Sequence, residues 1–297
     1  MSGIRRVRTA TLEIGYEESG PADGVPVVLS HGFPDDARAW DGVAPMLANA
    51  GWRVMVPYLR GHGPTRFLDP ATPRSGEQAA LGDDLRGFLD ALGIPRAYLA
   101  GYDWGGRASC VVAALWPERV FGLVTIGGYN IQDIAASIRP AAPDREWRHW
   151  YQWYFHTERG REGLRANARD LGGLLWKLWS PNWAFDEEAL DRTAGSWTNP
   201  DYVEVVIHSY RHRHRAAAGD PALAAIEARL AAQPEITVPT IALAPMADGV
   251  APFEAEDRDR RKFSGRYERR AVPRAGHFLP REAPEAVVEA LTDLARA

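Results

Sequence analysis

Gly101-Tyr102-Asp103-Trp104-Gly105-Gly106 sets a carboxylate among small residues, between an apolar run and an alanine-rich stretch. Gly-x-nucleophile-x-Gly after a strand is the sequence form of a sharp strand-to-helix turn that lifts one side chain above the sheet edge. The raised residue is Asp103 where Ser is usual. His277, in Ala275-Gly276-His277-Phe278-Leu279, and Asp248, in Met246-Ala247-Asp248-Gly249-Val250, each follow a strand-like run near the end of the chain. A His with a near-neutral pKa can take a proton from water, and a carboxylate beside it holds its tautomer. Asn130 and Asp133 follow an earlier strand and compete with Asp248 for that place; Asp248 is the preferred acid. A helix-capping role would explain Asp103 alone, but not an acid and a histidine at two further strand ends.

A carboxylate is ionised at pH 7 and needs no base to activate it. Attack on an ester or amide would give an anhydride that reverts. Attack on an sp³ carbon bearing a leaving group gives a stable alkyl ester, which water activated by His277 can hydrolyse. That second half needs an oxyanion hole. The backbone N–H groups of Phe33, in His31-Gly32-Phe33-Pro34, and of Trp104 are the expected donors. Epoxides and alkyl halides are therefore the substrates to expect, and esters and amides fall away.

These residues need a scaffold, and the pattern of the chain supplies one. Residues 5–10 and 12–18 read as an edge hairpin; 25–30, 52–57, 97–101 and 120–126 read as strands. Helices are expected over 39–50, 75–92 and 104–116. This alternation argues for a mostly parallel sheet covered by helices, with its functional loops at the carboxyl ends of the strands. Residues 132–234 break the pattern with helical stretches at 145–157, 161–179, 186–196, 201–213 and 221–232. They read as a lid inserted into a core formed by 1–131 and 235–297. Strands resume at 240–244 and 267–272, and a helix closes the chain at 284–297. The charged run 254–262 reads as a solvated helix face.

At 297 residues with a net charge of −4, the chain can bury a large core and shows no bias toward nucleic acid or an anionic membrane. Its single cysteine, Cys110, allows no internal disulfide and is expected to pack inertly. Residues 1–8 carry charge but no apolar stretch, so no signal peptide is expected. No run reaches the roughly 20 apolar residues of a membrane span. A cytoplasmic protein, monomer or homodimer, is the expectation. His208, His212 and His214 include an i, i+4 pair, but no carboxylate or cysteine in the sequence around them completes a metal set. A basic exposed helix is the preferred reading, with no metal.

Nucleophile, acid, histidine is the chain order of α/β-hydrolases. With the motifs 101–106, 31–34 and Tyr151-Gln152-Trp153-Tyr154-Phe155, nearly the whole chain resembles the α/β-hydrolase-fold epoxide hydrolases. The resemblance implies a cofactor-free opening of an oxirane to a vicinal diol. It also implies that two lid tyrosines protonate the epoxide oxygen, mapped to Tyr151 and Tyr210, with Tyr154 a substitute for the first. His31, Pro34, Trp153 and Tyr154 are expected to contact substrate. Seven of the 11 tryptophans lie in 132–234. Core packing is their first reading, but some should face a large aromatic cavity suited to apolar, aromatic or polycyclic epoxides, and a small apolar epoxide is the expected partner. Haloalkane or haloacid dehalogenases share the Asp elbow and are the alternative, though Trp104 stands where fluoroacetate dehalogenases have Arg. There Arg107, one helical turn on, is read as a structural salt bridge rather than a replacement. A non-catalytic ligand-binding relative is a third reading, which the base His277 argues against.

Overall fold

A computed structural model describes residues 3–296. The strands are β1 (Arg5–Arg8), β2 (Leu12–Ser19), β3 (Val25–Ser30), β4 (Trp52–Pro57), β5 (Arg66–Phe67), β6 (Ala97–Tyr102), β7 (Val120–Ile126), β8 (Thr240–Pro245) and β9 (Tyr267–Val272). They form one sheet in the order β1-β2-β4-β3-β6-β7-β8-β9, with the two-residue β5 pairing with β2. β1 with β2 and β2 with β4 are antiparallel, while every pair from β4 through β9 is parallel. The parallel strands are runs such as Val27-Val28-Leu29 and Leu99-Ala100, fully buried because helices cover both faces.

The helices are α1 (Val43–Asn49), α2 (Gln78–Ala91), α3 (Asp103–Leu115), α4 (Pro143–Arg148), α5 (Trp150–Phe155), α6 (Glu158–Trp179), α7 (Glu187–Ala194), α8 (Tyr202–Arg213), α9 (Ala224–Ala231), α10 (Leu279–Glu282) and α11 (Pro284–Arg296). α11 shows how pattern becomes packing. Val287, Ala290, Leu291 and Leu294 recur at helical spacing and are its buried face, and Pro284 occupies the first position, where no N–H is needed. Residue 297 of the expected closing helix lies outside the described residues. Among those described, the segment between β7 and β8 holds α4 to α9 and no named strand.

Several expected helices are shorter or broken. The expected 39–50 helix is a 3₁₀ turn at Ala37–Trp40 followed by α1, with Gly42 between. The 145–157 stretch divides at His149, whose φ of −92° and ψ of 15° end α4 and start α5. α6 kinks at Asn167. The charged run 254–262 is not an α-helix: it holds only a 3₁₀ turn at Arg260–Lys262, and its Asp259 turns inward to accept from the Tyr129 N–H. Charge periodicity signalled exposure there, not helicity.

From β3 the chain passes outward to β4, then returns to lay β6 on the other side of β3. Loops leaving β3 and β6 therefore diverge and open a crevice at their carboxyl ends. Both the His31–Pro34 turn and Asp103 sit there.

Candidate active site

Asp103 has φ +49°, a left-handed conformation strained for any residue with a Cβ. Its neighbours must give way for that turn to exist. A Cβ on Gly105 would lie 2.0 Å from the Ser30 carbonyl oxygen, and one on Gly32 would lie 2.4 Å from the Asp103 Cβ. Glycine at both places lets the two loops touch. The Phe33 N–H donates to Asp103 Oδ1 at 2.8 Å. The Trp104 amide belongs to the first turn of α3, where N–H groups have no intrahelical acceptor.

The His31–Pro34 turn is braced from several sides. His31 is fully buried; its Nε2 accepts from the Leu59 N–H at 3.1 Å, and burial pulls its pKa down to about 4. It is therefore a neutral strut. The Tyr102 hydroxyl donates to Asp35 at 2.7 Å, Arg281 Nε donates to the same carboxylate at 2.9 Å, and the Trp197 indole donates to the Pro34 carbonyl at 2.7 Å.

His277 Nδ1 lies 2.9 Å from Asp248 Oδ2. Asp248 Oδ1 accepts from the N–H groups of Val250 and Ala251, at 2.8 and 2.9 Å. Burial alone would depress the His277 pKa, but the charge of Asp248, its hydrogen bond and the charge of Asp103 outweigh it, and the net shift is upward. His277 Nε2 is buried with no hydrogen-bond partner and lies 3.8 Å from Asp103 Oδ2. That separation is too long for a direct hydrogen bond and leaves Nε2 free to hold a water. Asn130, the other expected neighbour, spends its amide on Thr125, Ile126 and Gly128, and Asp133 is exposed.

A cavity of about 150 Å³ joins these groups; Asp103, Asp248, His277, Tyr151, Gln152, His149, Asn130, Arg107 and Arg213 are among its lining. A second cavity of about 290 Å³ abuts it and shares Gly127, Asp248 and Ala251. Tyr151 is buried, and its hydroxyl accepts from Gln152 Nε2 at 3.0 Å. Burial, despite the positive charge of Arg213, pushes its pKa up to about 12. Tyr210 packs edge-on against Tyr151 and Phe33, with centroids 5.3 and 5.4 Å away, and its buried hydroxyl has no partner. Burial raises its pKa as well, so both phenols are held protonated. Tyr210 is not among the lining residues.

Other expected contacts are not brought here. Trp153 is 41% exposed and donates its indole N–H to Glu146, because it lies on the outer face of α5. Tyr154 turns its hydroxyl toward Gly163 of α6. His31 and Pro34 sit behind the lining, as supports. No tryptophan lines the cavity: Trp176, Trp179 and Trp197 are packed inside, while Trp147 faces solvent. In place of a large aromatic chamber there is a small one rich in charged and polar groups. Nor is Arg107 the expected structural salt bridge; it is buried, lines the cavity, and its Nε has no partner. Arg213 went unnoticed in the sequence, where it is one of several basic residues closing α8.

His212 does meet carboxylates, contrary to expectation: Glu77, just ahead of α2, and Glu227 of α9 approach it. Glu77 Oε1 and both Glu227 oxygens already accept from N–H groups, and His212 Nε2 lies 3.1 Å from the remaining Glu77 oxygen. The cluster ties three elements together, with Glu77 Oε2 buried and without a hydrogen-bond partner. Cys110 is buried and its thiol is pushed up to about 11 by burial, as inert packing requires.

Residues 25–284 match the family described as alpha/beta hydrolase fold, and the chain belongs to that family. Within it, several similar proteins carry the epoxide hydrolase name. A solved structure of a candidate epoxide hydrolase from Klebsiella pneumoniae superposes with a TM-score of 0.96 at 45% identity, covering 99% of this chain and 97% of that one. Epoxide hydrolase A of Mycobacterium tuberculosis is 26% identical over 97% of this chain and 96% of its own length. The structure of epoxide hydrolase A from Mycobacterium thermoresistibile gives a TM-score of 0.76 at 25% identity, covering 99% and 98%. The chain is thus a hydrolase of the epoxide hydrolase group. Among the described residues no helix is long and apolar enough to cross a membrane.

Proposed function

We propose that the protein opens an oxirane to a vicinal diol through an alkyl ester on Asp103. Oδ2 attacks a ring carbon; the C–O bond breaks, and the ring oxygen takes a proton from Tyr151, with Tyr210 beside it. Water then loses a proton to His277 Nε2 and adds to the ester carbonyl. The negative charge on Oδ1 is met by the Phe33 N–H and the Trp104 N–H. Collapse breaks the ester C–O bond: the leaving alkoxide takes the proton from His277 to become the diol, and the proton left on the Asp103 carboxyl returns to Tyr151, restoring carboxylate, imidazole and phenol. The observation that carries this reading is the pairing of a strained Asp103, already bonded to Phe33 N–H, with a His277 Nε2 that has no partner 3.8 Å away. A halide leaving group finds less support: Trp104, whose indole would donate to it, is fully buried against Phe33 and absent from the lining, while Tyr151 is present.

The test is to trap the intermediate. His277→Gln, given a panel of neutral and carboxylate-bearing small epoxides, is expected to gain the mass of one epoxide on the peptide containing Asp103. Label on another residue, or halide release from a chloroalkane or chloroacetate without any diol from epoxides, defeats the reading.

A further inference from the structure

Two guanidinium groups face the cavity, and the fold neutralises neither. Arg107 lies on α3 one turn beyond Asp103 and is only 6% exposed. Its Nε is buried without a hydrogen-bond partner, and no ion pair joins it to any described residue. Arg213 ends α8 with its guanidinium 4.9 Å from the Tyr210 ring centroid; its Nε and Nη2 are likewise buried and unpartnered. Both line the catalytic cavity. Burial, and then the charge of Arg213, lower the Arg107 pKa to about 10, so it stays cationic at neutral pH.

Buried charges are ordinarily paired, because leaving one unpaired costs several kcal/mol. The lining holds two carboxylates. Asp248 is committed to His277 and two backbone N–H groups. Asp103 loses its charge when it becomes an ester. From that step on, two guanidiniums would face a cavity with no free anion, unless the substrate brings one.

We propose that Arg107 and Arg213 form a carboxylate-binding subsite, and that the substrate is a short epoxide bearing a carboxylate. This rests on the epoxide reading above and names its substrate class. A planar carboxylate suits the guanidinium fork, which takes both oxygens with parallel hydrogen bonds. The size of the part that the arginines line fits as well: about 150 Å³ is below the roughly 300–1,000 Å³ of pockets for drug-sized ligands and suits a short acid. The arginines also offset the repulsion between the substrate anion and the attacking Asp103. Atoms balance as in the neutral case: Asp103 adds to the ring carbon, the ring oxygen takes the tyrosine proton, and water releases a dihydroxy acid. The same cations favour a haloacid equally, so the probes must separate leaving group from anion.

The experiment compares glycidate with glycidamide and methyl glycidate, with chloroacetate alongside. Charge-assisted hydrogen bonds of this kind predict a kcat/KM for glycidate about 100-fold above the neutral pair, mostly through KM. In Arg107→Met and Arg213→Met the ratio of glycidate to glycidamide should fall toward one. Should either variant fail to fold, the wild type still decides: acetate should compete with glycidate, and acetamide should not. Neutral epoxides turned over as well as glycidate, with no inhibition by acetate, overturn the subsite and leave the epoxide reading standing. Chloride release from chloroacetate with no diol from any epoxide overturns the epoxide reading itself.

Discussion

Asp248→Asn should separate the two half-reactions. The geometry decides which way the new amide points. Asp248 Oδ1 accepts from two backbone N–H groups, and Oδ2 faces His277 Nδ1 at 2.9 Å. Placing the amide NH₂ against the two backbone donors forfeits both bonds, at about 1–3 kcal/mol for each buried group. Placing it toward His277 forfeits nothing if the imidazole changes tautomer and accepts at Nδ1. The second arrangement wins, and it moves the proton to Nε2, the atom that must receive the proton of water. The variant also loses the carboxylate that stabilises the imidazolium, and two charges about 4 Å apart at an effective dielectric near 20 interact by about 4 kcal/mol. Ester hydrolysis should slow by about 10³- to 10⁴-fold, as expected when a histidine base is left in the wrong tautomer. Alkylation should slow far less, because a carboxylate nucleophile needs no general base. Quenched-flow mass spectrometry on a turned-over epoxide reads both steps: ester on Asp103 should build up in one fast turnover and decay slowly. Equal slowing of both steps, or no accumulation, would refute the reasoning.

Two further outcomes follow from the same groups. Tyr151→Phe with Tyr210→Phe should abolish ester formation itself, since the ring oxygen loses both phenol donors; single-turnover alkylation that survives in the double variant removes the tyrosines from the mechanism. His277 must be neutral to act, and its pKa is raised above 6.5 by Asp248 and Asp103 against the opposing effect of burial. Hydrolysis should therefore fall on acidification, read from single-turnover decay of the ester; Asp248 still holds the His277 pKa up in that state, while the share from the Asp103 charge is gone. The sign for stability is opposite: protonated His277 favours the fold, fully so below its unfolded value and no longer once pH has risen through the folded one. Ester decay that does not slow on acidification would contradict the electrostatic picture.

The motif 101–106, the strand alternation and the order of Asp103, Asp248 and His277 were legible because each rests on local rules. A left-handed turn needs small neighbours, a doubly covered strand needs a continuous apolar run, and loops at strand ends carry chemistry. From these alone the chain declared a parallel α/β core, a helical insert and a carboxylate where a hydroxyl is usual. The breaks at His149 and Asn167 were not legible, since tertiary packing overrides weak helical propensity.

The direction of each inserted helix was harder still. Tyr151 and Trp153 are two residues apart, yet α5 turns one into the cavity and the other to solvent. Arg107 and Arg213 are separated by more than a hundred residues and look like surface charge in the sequence. Only the packing of α8, whose Tyr210 meets Trp104 of α3, brings both to the cavity that Asp103 lines. Periodicity says that a helix has a buried face; what that face meets, and whether a cation on it finds a partner, is decided by which other elements close over it. The chemistry proposed for Asp103 belongs to the sequence. The charge and size of the chamber around it belong to the fold.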